Sequence, residues 1–355
     1  MSPAGLFSLR PGYDITRVIR GGWQLAGGHG NIDHRQALAD LTNSAEAGIL
    51  TFDCADIYTG VEELFGLFRS DYARRHGSEA AKRIKLHTKF VPDLDILPVI
   101  TRVHVRTIID RSLKRLGMDR LDLVQFHWWE YDVPGYLDAL GWLAELRRAG
   151  KVRHIGTTNL DTSRLREIVA AGIPLATHQL QWSVFDRRPE HGLAEFCRAH
   201  GIGLLCYGTI AGGFVDERWL GVADPSPPFA NRSLVKYRLI LEEFGGWRAF
   251  QRVLETLTAI GRKHHVAASS VAIRHVLDRP GASVAIVGAR DAARLAATLE
   301  PFAFALDEED RKQIAAHVAE ARGPQGDCYA LERDHDSAHY KIMWRNQNRS
   351  GVPIS

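Results

Sequence analysis

Four polar side chains stand where strand-like apolar runs give out: Asp53 closes G-I-L-T-F-D, Tyr58 follows it closely, Lys89 lies in R-I-K-L-H-T-K-F, and His127 ends L-D-L-V-Q-F-H-W. An aspartate, a tyrosine, a lysine and a histidine brought together form a site that donates a proton. A tyrosine with its ordinary pKa of about 10 is a poor acid at neutral pH unless a nearby cation favours the phenolate. Lys89 can be that cation. A buried lysine tends to lose its own proton, and an adjacent Asp53 opposes the loss. His127 then supplies either a hydrogen bond that orients a substrate oxygen or a second route for the proton. The plainer reading of Asp53 and Lys89 is a buried ion pair.

Convergence of these residues requires a scaffold that gathers strand ends. After an N-terminal hairpin over 7–16, the run R-V-I-R-G-G-W reads as a first strand, followed by a helix over 32–47 that Gly48 closes. Strands ending at Asp53, Lys89 and His127 alternate with helices over 61–75, 101–116 and 134–148. V-R-H-I-G-T-T-N, P-L-A-T-H-Q-L-Q-W, I-G-L-L-C-Y-G and A-S-V-A-I-V-G continue the series, with helices from Asp161, over 190–200 and over 291–299. Eight alternations without a strand–strand hairpin specify a parallel sheet, and eight parallel strands close a (β/α)8 TIM barrel. A long segment over 211–246, containing P-S-P-P and G-G, interrupts the series between the seventh and eighth barrel strands; it carries one predicted helix over 234–243. Helices over 247–263 and 267–278 follow. Residues 1–321 read as one barrel domain and 322–355 as a polar tail that either covers the barrel mouth or trails from it. Barrel enzymes carry their sites at the C-terminal strand ends, which makes Asp53, Lys89, His127, Asn159, Gln179 and Tyr207 candidates. A single Asp or Gln at such an end is as often a cap or a satisfied core group.

Composition narrows the function classes. With 45% hydrophobic and 25% charged residues, the 355-residue chain has material for a large core, and a net charge of +3 from interspersed residues demands neither nucleic acid nor a membrane. Cys54, Cys197, Cys206 and Cys328 have no C-x-x-C pairing, which argues against a zinc site or a disulfide framework and fits a reducing cytoplasm. No export signal and no long apolar span is apparent, so a cytoplasmic location is expected.

The segments T-F-D-C-A-D-I-Y-T-G-V-E-E-L-F-G, H-T-K-F, L-V-Q-F-H-W, G-K-V-R-H-I-G-T-T-N, H-Q-L-Q-W-S-V-F-D-R-R-P-E and I-V-G-A-R, in that order over 17–299, resemble the aldo-keto reductases. The resemblance implies NADPH-dependent reduction of an aldehyde or ketone, or the reverse oxidation. Tyr58 would be the general acid, with Asp53, Lys89 and His127 completing a tetrad. It also implies a nicotinamide cofactor held without a Rossmann fold. Tyr207 would stack on the nicotinamide; Thr158, Asn159 and Gln179 would bind its carboxamide; and the glycine-rich stretch 208–213, including Gly208 and Thr209, would cover the pyrophosphate. Gly288, Arg290 and Arg294 would hold the adenosine end and favour NADP, with NAD as the alternative; Ala297 and Thr298 stand where many relatives have Glu-Asn, and Gly288 replaces a common lysine. Trp23, Trp128, Trp129 and Trp182 are candidates for the wall of a pocket for a small carbonyl or alcohol, although tryptophans at such edges are as often packing residues. Relatives of this fold also serve as cofactor-sensing auxiliary subunits of channels, a second reading that the four residues do not exclude. A third, a Schiff-base lyase using Lys89, requires a neutral lysine, which Asp53 disfavours.

Overall fold

The strand–helix alternation becomes a closed barrel whose inner face carries the polar residues. The computed structural model of the protein describes residues 4–26, 32–288 and 293–343. β1 (Leu6–Arg10) and β2 (Tyr13–Thr16) form the antiparallel hairpin. The eight barrel strands are β3 (Val18–Gly21), β4 (Thr51–Asp53), β5 (Lys85–Phe90), β6 (Leu121–Phe126), β7 (Val152–Thr158), β8 (Leu175–Gln181), β9 (Gly203–Tyr207) and β10 (Ala282–Val287). They are joined in chain order by parallel pairing, and β10 pairs with β3 to close the ring, giving the expected (β/α)8 fold. Register places Asp53 beside His87 and Lys89 beside Gln125.

Because successive side chains point to opposite faces, Phe52, Phe90 and Phe126 join the core between sheet and helices, and residues of the other parity fill the barrel. Its floor is dry. Tyr13 and Ile15 of the hairpin pack with Ile19, Leu123, Leu205 and Val284, and the Tyr13 hydroxyl lies 3.0 Å from His87 Nε2. Burial holds His87 at about 3, so it is neutral there. The hairpin thus plugs one end and leaves the C-terminal strand ends as the open mouth.

Helix boundaries follow local chemistry. Asp33 and Asp161 accept backbone hydrogen bonds at the N-caps of His34–Glu46 and Thr162–Ala170, and Gly117 ends Arg102–Leu116 in the left-handed conformation. The helix expected over 190–200 is instead a single turn, Arg188–Glu190, and a helix, Leu193–Ala199, separated at Gly192, whose φ is 103°. In the long segment after β9 the helix extends over Arg232–Phe244, and a left-handed glycine pair parts it from Gly246–His264. Ser78–Arg83 and Glu308–Glu320 are helices that the sequence reading did not include.

Past Ala321 the chain turns back over the barrel mouth and is fixed at two adjacent residues. Glu332 enters a buried cluster in which Arg188 donates to Asp186 at 3.0 and 2.7 Å and to Glu332 at 3.0 and 3.4 Å. Arg333 donates to the carbonyls of Trp128 (2.8 Å), Trp129 (3.2 Å) and Asn159 (2.7 Å), at the ends of β6 and β7. Of the two alternatives for the tail, the described part covers the mouth. Burial works against the Glu332 carboxylate, but Arg188 and Lys236 outweigh it and hold the group at about 2.

Removing one partner of a buried ion pair costs about 3–5 kcal/mol, so R188M is expected to lower the denaturation midpoint and to make the segment after residue 321 cleavable by protease at low dose. Since an unfolded glutamate titrates near about 4.3, the stabilisation from Glu332 is complete above that value and is lost as pH falls through about 2. Stability measured down this range should fall less steeply in E332Q than in the parent; an equal slope contradicts the assignment.

Candidate active site

Lys89 organises the open end of the barrel. Its Nζ donates to Asp53 Oδ2 at 2.5 Å and to the Cys54 carbonyl at 2.7 Å, and lies 5.2 Å from the centroid of the Tyr58 ring. Asp53 and Lys89 arrive on adjacent strands, β4 and β5, whereas Tyr58 sits on the turn that leads from β4 into the helix Val61–His76. The second carboxylate oxygen of Asp53 accepts from Gln125 Nε2 at 2.7 Å and from Gln179 Nε2 at 2.9 Å. Gln179 Nε2 also donates to Gln125 Oε1 at 2.9 Å, so its NH2 is spent inside the barrel and only its carbonyl oxygen is left for the cleft. Burial pulls the Lys89 ammonium down, but Asp53 and Tyr58 together outweigh it and hold it above its ordinary value. That charge state is the opposite of what a Schiff-base nucleophile needs. Burial raises the Tyr58 hydroxyl above its ordinary value, and Lys89 opposes the rise without cancelling it. In this structure, therefore, the lysine moderates the phenol without making it a net stronger acid, and Tyr58 retains its proton at neutral pH.

His127 has one role open to it. Its Nδ1 faces the Thr158 carbonyl at 3.2 Å, and a carbonyl only accepts, so Nδ1 carries the hydrogen. Burial, assisted by the Arg333 charge, depresses the ring to about 3. The neutral ring thus presents a buried, unpartnered Nε2 lone pair to the cleft. It can accept from a hydroxyl; it cannot donate in this tautomer. Edge-on to it stands Tyr329 of the tail, ring centroids 5.9 Å apart at 84°.

These groups form the floor of a cleft of about 1170 Å³ that Trp23, Trp129, Thr158, Asn159, Tyr207 and Gly288 also line. Trp23 lies 5.2 Å from the Tyr58 ring, and Trp129 packs edge-on to His127 at 4.4 Å. Trp128 and Trp182 are corrections to the expected wall. Both sit on the outer parity of their strands: Trp128 stacks on Phe126 and donates to the Val133 carbonyl, and Trp182 donates to Glu190 at 3.3 Å, each in the barrel–helix core.

The other side of the cleft carries hydrogen-bonding groups with nothing to bond. Thr158 Oγ1 and Gln24 Oε1 line the cleft and are buried without partners among the described residues, as is Thr209 Oγ1 beside it in the turn after β9, an expensive condition that a ligand relieves. Asn159 is held in the left-handed region (φ 59°) by its N–H to the Gln179 carbonyl (2.9 Å), the Tyr207 hydroxyl on its Oδ1 (2.8 Å) and Arg333 on its carbonyl, leaving its amide NH2 for the cleft. Gly208 and Gly212 have positive φ, and a Cβ on either would come within 2.4 Å of Tyr237, so the turn after β9 lies against the helix Arg232–Phe244 and Arg218 bonds the Gly213 carbonyl beside it. Unspent hydrogen-bonding groups, a glycine turn and a guanidinium fit an anionic dinucleotide. Gly288 is covered by Gln24, whose amide occupies the space a Cβ there would need. Arg290 lies outside the described residues, as does the side chain of Arg294 in the helix Ala293–Leu299. Gln24, Gln125, Arg218, Lys236 and Tyr329 are site residues that the sequence reading missed. Gln125 was accessible in principle, because it is two positions before His127 on the same strand face. Tyr329 offered no local signal.

With this geometry in place, comparison with known proteins is direct. The model of the aldo/keto reductase family matches residues 17–319, and the chain belongs to that family. It is 32% identical over 187 residues to aldo-keto reductase yakc [NADP(+)] of Schizosaccharomyces pombe, covering 50% of this chain and 53% of that protein. It is 27% identical over 217 residues to the NADH-specific methylglyoxal reductase of Escherichia coli, covering 57% and 65%. Among solved structures, the glycerol dehydrogenase of Gluconobacter oxydans shares the fold at a TM-score of 0.75, with 20% identity and coverage of 92% of this chain and 98% of that one. Membership makes the protein an oxidoreductase of carbonyl compounds. No described helix is long and apolar enough to cross a membrane, and no cluster of described residues could hold a metal ion.

The His127 assignment is open to nitrogen-15 NMR. Its Nε2 is expected to show the shift of an unprotonated ring nitrogen throughout pH 6–8, with Nδ1 protonated. Titration near the ordinary histidine value of about 6.5, or the opposite tautomer, contradicts it.

Proposed function

We propose that the protein reduces an aldehyde or ketone with NADPH, or runs the reverse oxidation, and that Tyr58 supplies the proton. The observation that carries this reading is the Lys89 ammonium, fixed by Asp53 and set against the Tyr58 ring at the base of the cleft. A bound nicotinamide dinucleotide supplies the hydride in such chemistry. The protein supplies everything that happens at oxygen. Tyr58 keeps its proton until negative charge develops on the substrate oxygen, which is then the stronger base; Lys89 stabilises the phenolate left behind. In the oxidative direction the same phenolate takes the proton from the alcohol, and His127 Nε2, as an acceptor, orients that hydroxyl. Trp23, Trp129 and Tyr329 exclude water around the reacting atoms.

For the cofactor, Tyr207 offers a ring face, Thr158 a hydroxyl, Asn159 an amide NH2 and Gln179 a carbonyl, a set suited to fixing a carboxamide-bearing ring. The turn with Gly208 and Thr209, together with Arg218, suits the pyrophosphate. NADPH is preferred in this reading because the resemblance assigns Arg290 and Arg294 to the adenosine end, and two arginines in sequence there favour a 2′-phosphate; NADH is the alternative, and relatives named for each cofactor exist.

Turnover of a panel of aldehydes, ketones and sugars, followed at the nicotinamide absorbance with NADPH and NADH in parallel, tests activity and cofactor together. Y58F should bind NADPH as the parent does and lose roughly 100- to 10,000-fold in kcat, the usual yield of a positioned acid. A fully active Y58F overturns the mechanism.

A further inference from the structure

The cleft is far more basic than the chain as a whole. Its charged lining consists of Asp53, Lys89, Arg218, Arg232, Lys236 and Lys341, and Asp53 is consumed by Lys89. Most of the cations already have acceptors: Arg218 bonds the Gly213 carbonyl (3.4 Å), Arg232 that of Ile342 (3.1 Å) and Lys341 that of Asp336 (3.2 Å). Lys236 differs. Its Nζ sits among the rings of Tyr207, Tyr237 and Tyr329, at 5.0, 5.7 and 5.6 Å from their centroids. The nearest carboxylate oxygen is Glu332 Oε1 at 3.8 Å, beyond hydrogen-bond reach, and both oxygens of Glu332 already accept from Arg188.

Among the described residues this ammonium meets no hydrogen-bond acceptor, and with its side chain only 18% exposed it is under-compensated. Burial lowers its hold on the proton even though Glu332 opposes the change. The three rings stabilise the cation from the side, yet they accept none of its protons at an oxygen. An anion entering the cleft would do so. The Tyr329 ring neighbours both groups, its centroid 5.6 Å from Lys236 Nζ and 5.9 Å from the His127 ring, so the ammonium and the imidazole line one stretch of the cleft on either side of an aromatic wall. The walls over that stretch are aromatic, from Trp23, Trp129 and Tyr329.

We propose that Lys236 anchors a carboxylate on the substrate, and that the substrate class is flat, mainly aromatic carbonyl compounds bearing an anionic group opposite the reacting carbonyl. This rests on the carbonyl-reducing reading of the same cleft. The phosphates of a dinucleotide have the same anionic chemistry, so the test must separate the two sources.

The comparison is 4-carboxybenzaldehyde against its neutral isostere 4-carbamoylbenzaldehyde. The parent protein should favour the carboxylate by about tenfold in kcat/KM, chiefly through KM, the size expected of one added charge-assisted contact. K236M should bring the ratio near one, and K236R should restore much of it. A parent ratio near one, or a ratio unchanged in K236M, overturns the proposal. NADPH affinity, measured by fluorescence, should agree within about twofold between parent and K236M. A tenfold loss there with the substrate ratio intact assigns the lysine to the cofactor phosphates and also overturns it. If neither aldehyde turns over, carbonyl reduction is what fails, and calorimetry with 4-methylbenzoate against 4-methylbenzamide decides the anchor on its own. Preferential benzoate binding lost in K236M supports it; equal binding of the two refutes it.

Discussion

The buried contact between Lys89 and Asp53 is the constraint around which the site is built. A buried ammonium at the open end of the barrel is costly, and it persists because the carboxylate beside it is itself fixed by two glutamine amides from β6 and β8. Four strands therefore meet on one ion pair: β4 and β5 bring the charges, and β6 and β8 hold them. The parallel barrel is what makes this inexpensive, since its strands deliver inward side chains to one end without any loop having to be ordered. Tyr58 is the exception, on a turn, and it is positioned by the cation and by Trp23.

Much of this was legible in the chain. Strand ends at Asp53, Lys89 and His127 could be read from apolar runs, whereas the inward placement of the polar side chains is given by the fold. Alternation along the strand sends Trp128 outward with Phe126, since it is adjacent to the inward His127. What local pattern could not supply was the pairing of distant segments. Glu332 meets Arg188, and Arg333 meets Asn159, through contacts that no periodicity encodes. The resemblance assigns Gln179 to a cofactor amide, but not which end of the side chain is free; its NH2 is committed to Asp53 and Gln125, which leaves the carbonyl. The helix break at Gly192 was missed because the apolar pattern runs across it and only the glycine's positive φ interrupts it.

The tail joins the two halves of the site. Arg333 fixes the backbone of Asn159 and contributes to the depressed histidine, while Tyr329 closes the space above His127 and forms part of the cage around Lys236. Fold and chemistry are thus coupled through a segment that lies outside the barrel repeat. The barrel belongs to the family fold; the helix Arg232–Phe244 and the tail supply further lining of the cleft.

The central claim is that Asp53 acts by keeping Lys89 charged next to Tyr58. The pH dependence of kcat in D53N, compared with the parent on one carbonyl substrate, reads this directly. Activity that needs the ammonium is lost as pH rises through the lysine's pKa, and removing the carboxylate lowers that pKa, so the alkaline limb of D53N should move to lower pH. A D53N profile that is reduced in height but has its alkaline limb unmoved would contradict the account.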